Sequence, residues 1–232
     1  MTFSLVILSF NEIEALRVIL PRIKKEWLDE IIFIDGASTD GSIEYAQSLG
    51  YQVTIQKGKG VMAGYKEGLA AVTSDVTILF TPDGNCLPEK IPQLIAKMKE
   101  GYDMVVCSRY KDGAKSEDDT LISGFGNWMF SALVRALFKA QCTDLLGIYR
   151  AFRKDIHSRL DIKIISRPVE TRTYIRAITY GLKIAEIGGD EPARIGGKSC
   201  RSIIKNGFNE LSIVIEEFFH LPSTFLDKIL KF

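Results

Sequence analysis

Short, almost wholly apolar runs recur through the first half of the chain. Each ends in a polar break and is followed by a segment with helical spacing. Phe3–Ser9, Glu30–Asp35, residues 51–56, Val76–Phe80 and residues 103–107 are rich in β-branched and aliphatic side chains and too short for buried helices. Between them, apolar residues recur at helical spacing; in the segment from Gly58-Lys59-Gly60 to about Val72, Ala63, Leu69 and Val72 mark the inner side. Five such alternations predict an α/β fold with a doubly wound, mainly parallel central sheet, right-handed crossovers and helices on both faces. Strands that are apolar throughout are buried on both sides, so polar chemistry is confined to their ends.

The 232 residues suffice for one such domain, and no repeat or linker rich in Pro, Gly or Ser interrupts them. The expected organisation is a single unit over 1–232, with a regular first half at about 1–110, a second half at about 111–205 and an amphipathic helix and tail at about 202–232. A formal net charge of +1 gives no general attraction to nucleic acid. Two histidines, His157 and His220, argue against a His-based metal site or a Ser-His-Asp triad. Cys86, Cys107, Cys142 and Cys200 are widely spaced and read as reduced structural thiols of a cytoplasmic protein. The start, MTFSLVILSFNE, has neither a basic leader nor a cleavage site and reads as the first strand. No run of 18 apolar residues is present, so any membrane contact is expected to be peripheral, on the cytoplasmic face.

Three strand ends carry polar clusters: Asn11-Glu12, Asp35 with Ser38 and Asp40, and Asp83 with Asn85. In open α/β sheets these ends converge on one crevice. Asp83 and Asn85 offer hard oxygen ligands suited to Mg²⁺ or Mn²⁺, although Asp-Gly-Asn is equally what a turn requires. Carboxylates without a nearby histidine suggest a metal-bridged anion, of which a nucleoside diphosphate is the leading example. Asp35 can accept hydrogen bonds from a base or ribose, and Lys59 places a cation near phosphate. The P-loop pattern GxxxxGK[ST] is absent.

The second half is less regular. Residues 110–120 are polar and read as a mobile surface loop. Residues 126–139 form a helix with little polar surface, 147–153 alternate as a strand, 166–180 are helical and 182–187 a last strand. Residues 202–219 form an amphipathic helix with Phe208, Leu211, Ile215 and Phe218 in one stripe. The helix at 126–139 and this tail have two readings, docking at a membrane surface or core packing with a contact between two copies in a homodimer.

LSFNE, IDGASTDGS, FTPDGN, CSRY, DLLGIYRAFRKD and DEPARIGGKS follow one another in order. In this the chain resembles the family 2 glycosyltransferases of GT-A fold, in particular dolichyl-phosphate mannose synthase and bacterial polyprenyl-phosphate glycosyltransferases, over residues 3 to about 205. The resemblance implies an inverting transfer from a nucleotide-diphosphate sugar, with Mg²⁺ or Mn²⁺, to a polyprenyl phosphate. It implies nucleotide contacts from Asn11, Glu12, Asp35, Ser38, Lys59, Pro82 and Asp83, and metal contacts from Asp83 and Asn85. It also implies phosphate contacts from Arg109, Arg150, Arg194, Lys198 and Ser199, with Asp83, Arg109 and Arg150 in catalytic roles. Two departures stand out: Gly36 replaces the second Asp of the family's DDGS, and Thr81 replaces the first Asp of DxD. The cations are expected to gather without matching acids, which requires an anion between them.

Three other activities fit the same layered form. One is glycosyl transfer to a saccharide hydroxyl, which would need a general base. A sugar-phosphate nucleotidyltransferase would require a GxGxRLxPLT-like loop where this chain has LSFNE. A non-catalytic nucleotide-binding domain is suggested by Gly36 and Thr81.

Overall fold

The computed structural model describes residues 1–164, 169–196 and 203–221. Seven strands form one sheet in the order β3-β2-β1-β4-β6-β5-β7. They are β1 (Phe3–Ser9), β2 (Glu30–Asp35), β3 (Val53–Ile55), β4 (Val76–Phe80), β5 (Met104–Ser108), β6 (Arg150–Arg153) and β7 (Ile184–Gly188). β1 pairs in parallel with β2 and β4, β2 with β3, and β5 with β7. β6 alone runs antiparallel, inserted between β4 and β5. This is the mostly parallel GT-A arrangement, with the sheet mixed at one position.

Every residue of β1, β4 and β5 is buried, as their unbroken apolar runs predict. Side-chain alternation divides the core into two layers. Val6, Leu8, Ile34 and Leu79 face one layer, and Leu5, Ile7, Phe33, Ile78 and Phe80 face the other. The first layer is covered by α3 (Val61–Ala71), α5 (Leu121–Phe138), α7 (Glu170–Thr179) and α8 (Ile203–Phe219). The second is covered by α1 (Ile13–Ile19), α2 (Ser42–Ser48) and α4 (Ile91–Lys99). A short helix, α6 (Ile156–Arg159), follows β6. A Cβ on Gly68 would stand 2.5 Å from Val6 Cγ1, so glycine lets α3 lie directly on β1.

Several elements differ from the sequence expectation. Asn11, a residue type suited to capping the helix that follows β1, does not cap α1; it has φ 53° and its Oδ1 accepts from Thr39 N–H at 2.9 Å. The amides at the start of α1 are bonded instead from the β2–α2 loop and the first residue of α2, Ile13 N donating to Asp40 Oδ2 and Glu12 N, just before α1, to Ser42 Oγ, both at 3.0 Å. α5 begins at Leu121 and not at 126, because Thr120 and Ser123 exchange side-chain and backbone hydrogen bonds in a capping box. The 110–120 segment is tied down: Tyr110 OH donates to Asp119, Asn127 Nδ2 donates to Tyr110 OH at 2.8 Å, and Glu117 N–H donates to Glu191 O at 2.8 Å. The Phe208, Leu211, Ile215 stripe of α8 faces outward. The opposite face buries Ile213 and Val214 together with Glu217, which pairs with Arg176 at 2.8 Å.

His157 is buried on the first layer, within 3.1 Å of Tyr65 OH through Nε2 and edge-on to Phe152 at 5.3 Å. Burial, with a smaller contribution from the Arg150 charge, lowers its pKa from 6.5 to about 4. The unfolded chain therefore binds the proton more tightly, and stability present above pH 6.5 is lost as pH falls toward 4. Between about pH 7.5 and about pH 5 this residue should account for a loss of about 2 kcal/mol. Urea unfolding at the two pH values should show that slope in the wild type and a smaller one in His157→Gln; equal slopes would contradict the assignment.

Candidate active site

The carboxyl ends of β1, β2 and β4 lie side by side, with Ser9 opposite Asp35 and Ile7 opposite Phe80 in the strand registers. Three residues beyond Phe80, Asp83 stands at the same edge. Its Oδ1 accepts from Thr81 Oγ1 and from Asn85 N–H, both at 3.2 Å, so Thr81 supports this carboxylate where the family pattern has an acid. Gly84, at φ 97°, turns the chain there.

Asp83 Oδ2 accepts from Arg194 Nη1 at 2.8 Å, and Arg194 Nη2 donates to Glu12 Oε1. Glu12 is buried, and its second oxygen, Oε2, has no hydrogen-bond partner. Burial raises its pKa to about 7, the nearby Arg194 charge opposing and the Asp83 charge adding to the rise. Asp35 is fully buried and spends both oxygens on Ser38, Oδ1 on its N–H at 2.6 Å and Oδ2 on its hydroxyl at 2.8 Å. Ser38 Oγ accepts from Asn11 N–H at 2.8 Å. Asp35, Ser38 and Asn11 thus form one braced loop beside Glu12. Pro82 is buried and Lys59 exposed. The backbone N–H groups of Lys57 and Gly58, next to Lys59, are taken by the Glu67 carboxylate at 2.9 and 3.3 Å. That turn offers a phosphate less than the sequence suggests.

The expected cluster of unmatched cations is not found among the described residues. Arg109 grips the buried Asp144 with Nε at 2.6 Å and Nη2 at 2.7 Å, and lies 3.5 Å from Glu191. Burial alone would raise Asp144; the hydrogen bonds and charge of Arg109 outweigh it and hold the carboxyl below its ordinary range. Arg150 is buried and donates to the carbonyls of Leu145, Gly147 and Glu170. It ties the turn after Asp144 to α7 and does not face open space. Arg194 is matched by two acids. Lys198 and Ser199 lie outside the described residues. The acids that match the arginines, Asp144 and Glu191, sit 35 and 82 positions from Arg109 and carry no spacing signal. Only their places in DLLG and DEPAR draw attention to them.

A protein-only metal cage is absent: no group of three His, Cys, Asp or Glu stands together among the described residues. Mg²⁺ and Mn²⁺ at phosphate-transfer sites are commonly held by one or two carboxylates with the remaining ligands from substrate phosphate and water. Asp83 at the sheet edge, beside Glu12 with its unpartnered Oε2, fits that mode. Asn85 is held beside Asp83, its Nδ2 donating to Pro192 O at 2.9 Å, which leaves its Oδ1 as the oxygen a cation would take.

Residues 4–161 match the family model of Glycosyl transferase family 2. The chain belongs to this family. Among curated relatives it is 25% identical over 178 residues to the glycosyltransferase AglJ of Haloferax volcanii, covering 75% of this chain and 58% of that protein. It is 26% identical over 194 residues to the undecaprenyl-phosphate mannosyltransferase of Micrococcus luteus, covering 79% of this chain and 77% of that protein. The glucosyl-3-phosphoglycerate synthase of Mycobacterium tuberculosis, solved with Mn²⁺, UDP-glucose and phosphoglyceric acid, superposes with a TM-score of 0.68 at 20% identity, covering 95% of this chain and 80% of that one. Membership in this glycosyltransferase family sets the nucleotidyltransferase reading aside.

Removing Asp144 would leave the half-buried Arg109 guanidinium with only the more distant Glu191, at 3.5 Å, and losing one partner of a buried pair typically costs about 3–5 kcal/mol. Asp144→Ala should therefore lose stability of that order in urea denaturation, whereas Glu89→Ala, which breaks the exposed Arg22–Glu89 pair at 2.8 Å, should lose about 1 kcal/mol or less. Equal losses would contradict the burial argument.

Proposed function

We propose that this glycosyltransferase moves a sugar from a nucleoside-diphosphate donor to a polyprenyl phosphate, with inversion at the sugar carbon and with Mg²⁺ or Mn²⁺ on Asp83. One observation carries the acceptor reading. α5 starts beside the 110–119 loop, tied to it through Asn127, Tyr110 and Asp119, and that loop bonds the 190–196 segment that lies on the Asp83 turn. From that point it presents Leu121, Ile122, Phe125 and Trp128 outward, each more than half exposed. α8 lies against α5, with Phe138 and Phe218 in edge contact at 6.4 Å, and adds the exposed Phe208, Leu211, Ile215 and Phe219. Two neighbouring helices with outward apolar stripes suit an isoprenoid chain at a lipid surface. α5 is also, by length and composition, apolar enough to cross a membrane, with 28% of it buried.

The phosphate of such an acceptor is already anionic, so attack on the sugar carbon requires no general base. Most carboxylates of the region are engaged: Asp35 with Ser38, Asp144 with Arg109, Glu191 with Ser116, and Glu12 with Arg194 through one of its two oxygens. A bound divalent cation supplies charge stabilisation to the leaving diphosphate. Around it the chain's own residues orient the donor: the Asn11–Asp35–Ser38 loop forms the wall beside Glu12, and the Thr81 hydroxyl and Asn85 amide fix the rotamer of Asp83. The names of the Micrococcus relative and the ligands of the Mycobacterium neighbour support a phosphate-bearing acceptor, a nucleotide-sugar donor and a divalent cation.

Asp83→Ala should remain folded, with a cooperative melting transition, and lower turnover by ~10²-fold or more, the scale for loss of a main electrostatic contributor. Full activity in that variant, or in excess chelator, would remove the metal from the proposal. For the acceptor, radiolabelled sugar should pass to a short prenyl phosphate and not to the matching prenyl alcohol. Transfer to saccharide hydroxyls or to phosphoglyceric acid, with none to prenyl phosphate, would reject the lipid.

A further inference from the structure

The segment 190–196 crosses the candidate site as a strap. On one side it is fixed to the 115–117 backbone: Asp190 Oδ1 accepts from Lys115 N–H at 2.9 Å, and Glu191 exchanges backbone bonds with Lys115 and Glu117 at 2.9 and 2.8 Å. On the other it lies on the Asp83 turn. Pro192 O accepts from Asn85 Nδ2, Ile195 N–H donates to Asp83 O at 2.9 Å, and the Ile195 side chain covers Gly84, where an added Cβ would stand 2.8 Å from it. The strap thereby seats Arg194 between Asp83 and Glu12.

This seat satisfies its groups only in part. Arg194 Nε and Glu12 Oε2 are both buried without a hydrogen-bond partner, and unmet polar groups of this kind are costly. The guanidinium also occupies the Oδ2 edge of Asp83, the oxygen turned away from the Thr81 and Asn85 contacts and so the one available to an incoming cation. Two cations cannot share that oxygen at contact distance in a partly buried site without strong repulsion.

We infer that Arg194 and a divalent cation are alternative partners of Asp83, so that the strap gates loading of the donor site. In this arrangement Arg194 neutralises the paired acids while the strap is seated. When a cation takes Asp83, Arg194 moves off its oxygen and is freed, beside the donor crevice, to pair with phosphate, the anion a guanidinium suits best. The inference rests on the assignment of the metal to Asp83.

Mn²⁺ binding without nucleotide, followed by electron paramagnetic resonance of the free ion, tests it in the full chain. Arg194→Gln should bind Mn²⁺ about tenfold more tightly than wild type, the scale for removing one charge-assisted competitor. Arg194→Lys, which keeps the charge, should fall closer to wild type. Asp83→Asn in the Arg194→Gln background should abolish the gain. Melting curves establish that each variant is folded. Equal or weaker Mn²⁺ binding by folded Arg194→Gln, with wild-type binding still dependent on Asp83, would overturn the gate and leave the metal assignment standing. Failure of wild type and Arg194→Gln alike to bind Mn²⁺, both without nucleotide and with a nucleoside diphosphate added to supply the phosphate ligands, would overturn both.

Discussion

β1 is flanked on both edges by parallel partners and covered on both faces, and each of its seven residues is buried. A strand in that position disfavours unpaired polar groups, and the one hydroxyl of β1 buried without a partner, that of Ser9, stands at its very end. The chain can place chemistry only where β1 and its neighbours stop, and there it concentrates a run of polar side chains within a few residues of one another. Asn11, Glu12, Asp35, Ser38 and Asp83 are near each other because the parallel register aligns the strand ends. The same constraint explains the dense bonding of the edge: groups that leave the core together must satisfy one another or a ligand.

The second half of the chain depends on a second constraint, a buried charge pair. Asp144 and Arg109 come from different loops and hold the turn before β6 against the end of β5. Arg150, the first residue of β6, then ties the same turn to α7 through backbone carbonyls. Both arginines spend their donors inside the protein, on Asp144 and Glu191 and on backbone carbonyls, contacts more structural than their motifs suggest.

Much of the fold was legible because it follows from periodicity: apolar runs gave β1, β2, β4 and β5, and helical spacing gave α3 and α4. The antiparallel direction of β6 was not legible, since RAFR has the same burial pattern whichever way it runs. The start of α5 was missed because Gly124 and Gly126 argue against helix, yet the Thr120–Ser123 capping box and tertiary packing carry it through. At the site, Asp83 and Glu12 were legible as strand-end acids. Their bridging by Arg194, 182 positions from Glu12, was not, because ion pairing across the fold leaves no mark in local sequence.

The central claim is that this edge binds a nucleoside-diphosphate sugar together with a divalent cation. A thermal-shift panel of nucleotide-sugars, each with and without Mn²⁺, tests it most directly, because a ligand bound only by the folded state raises apparent stability by mass action. The account predicts that at least one nucleotide-sugar raises the melting temperature, that the rise requires Mn²⁺, and that Asp83→Ala removes it. A rise of equal size without metal, or none from any nucleotide-sugar at concentrations of several millimolar, would contradict it.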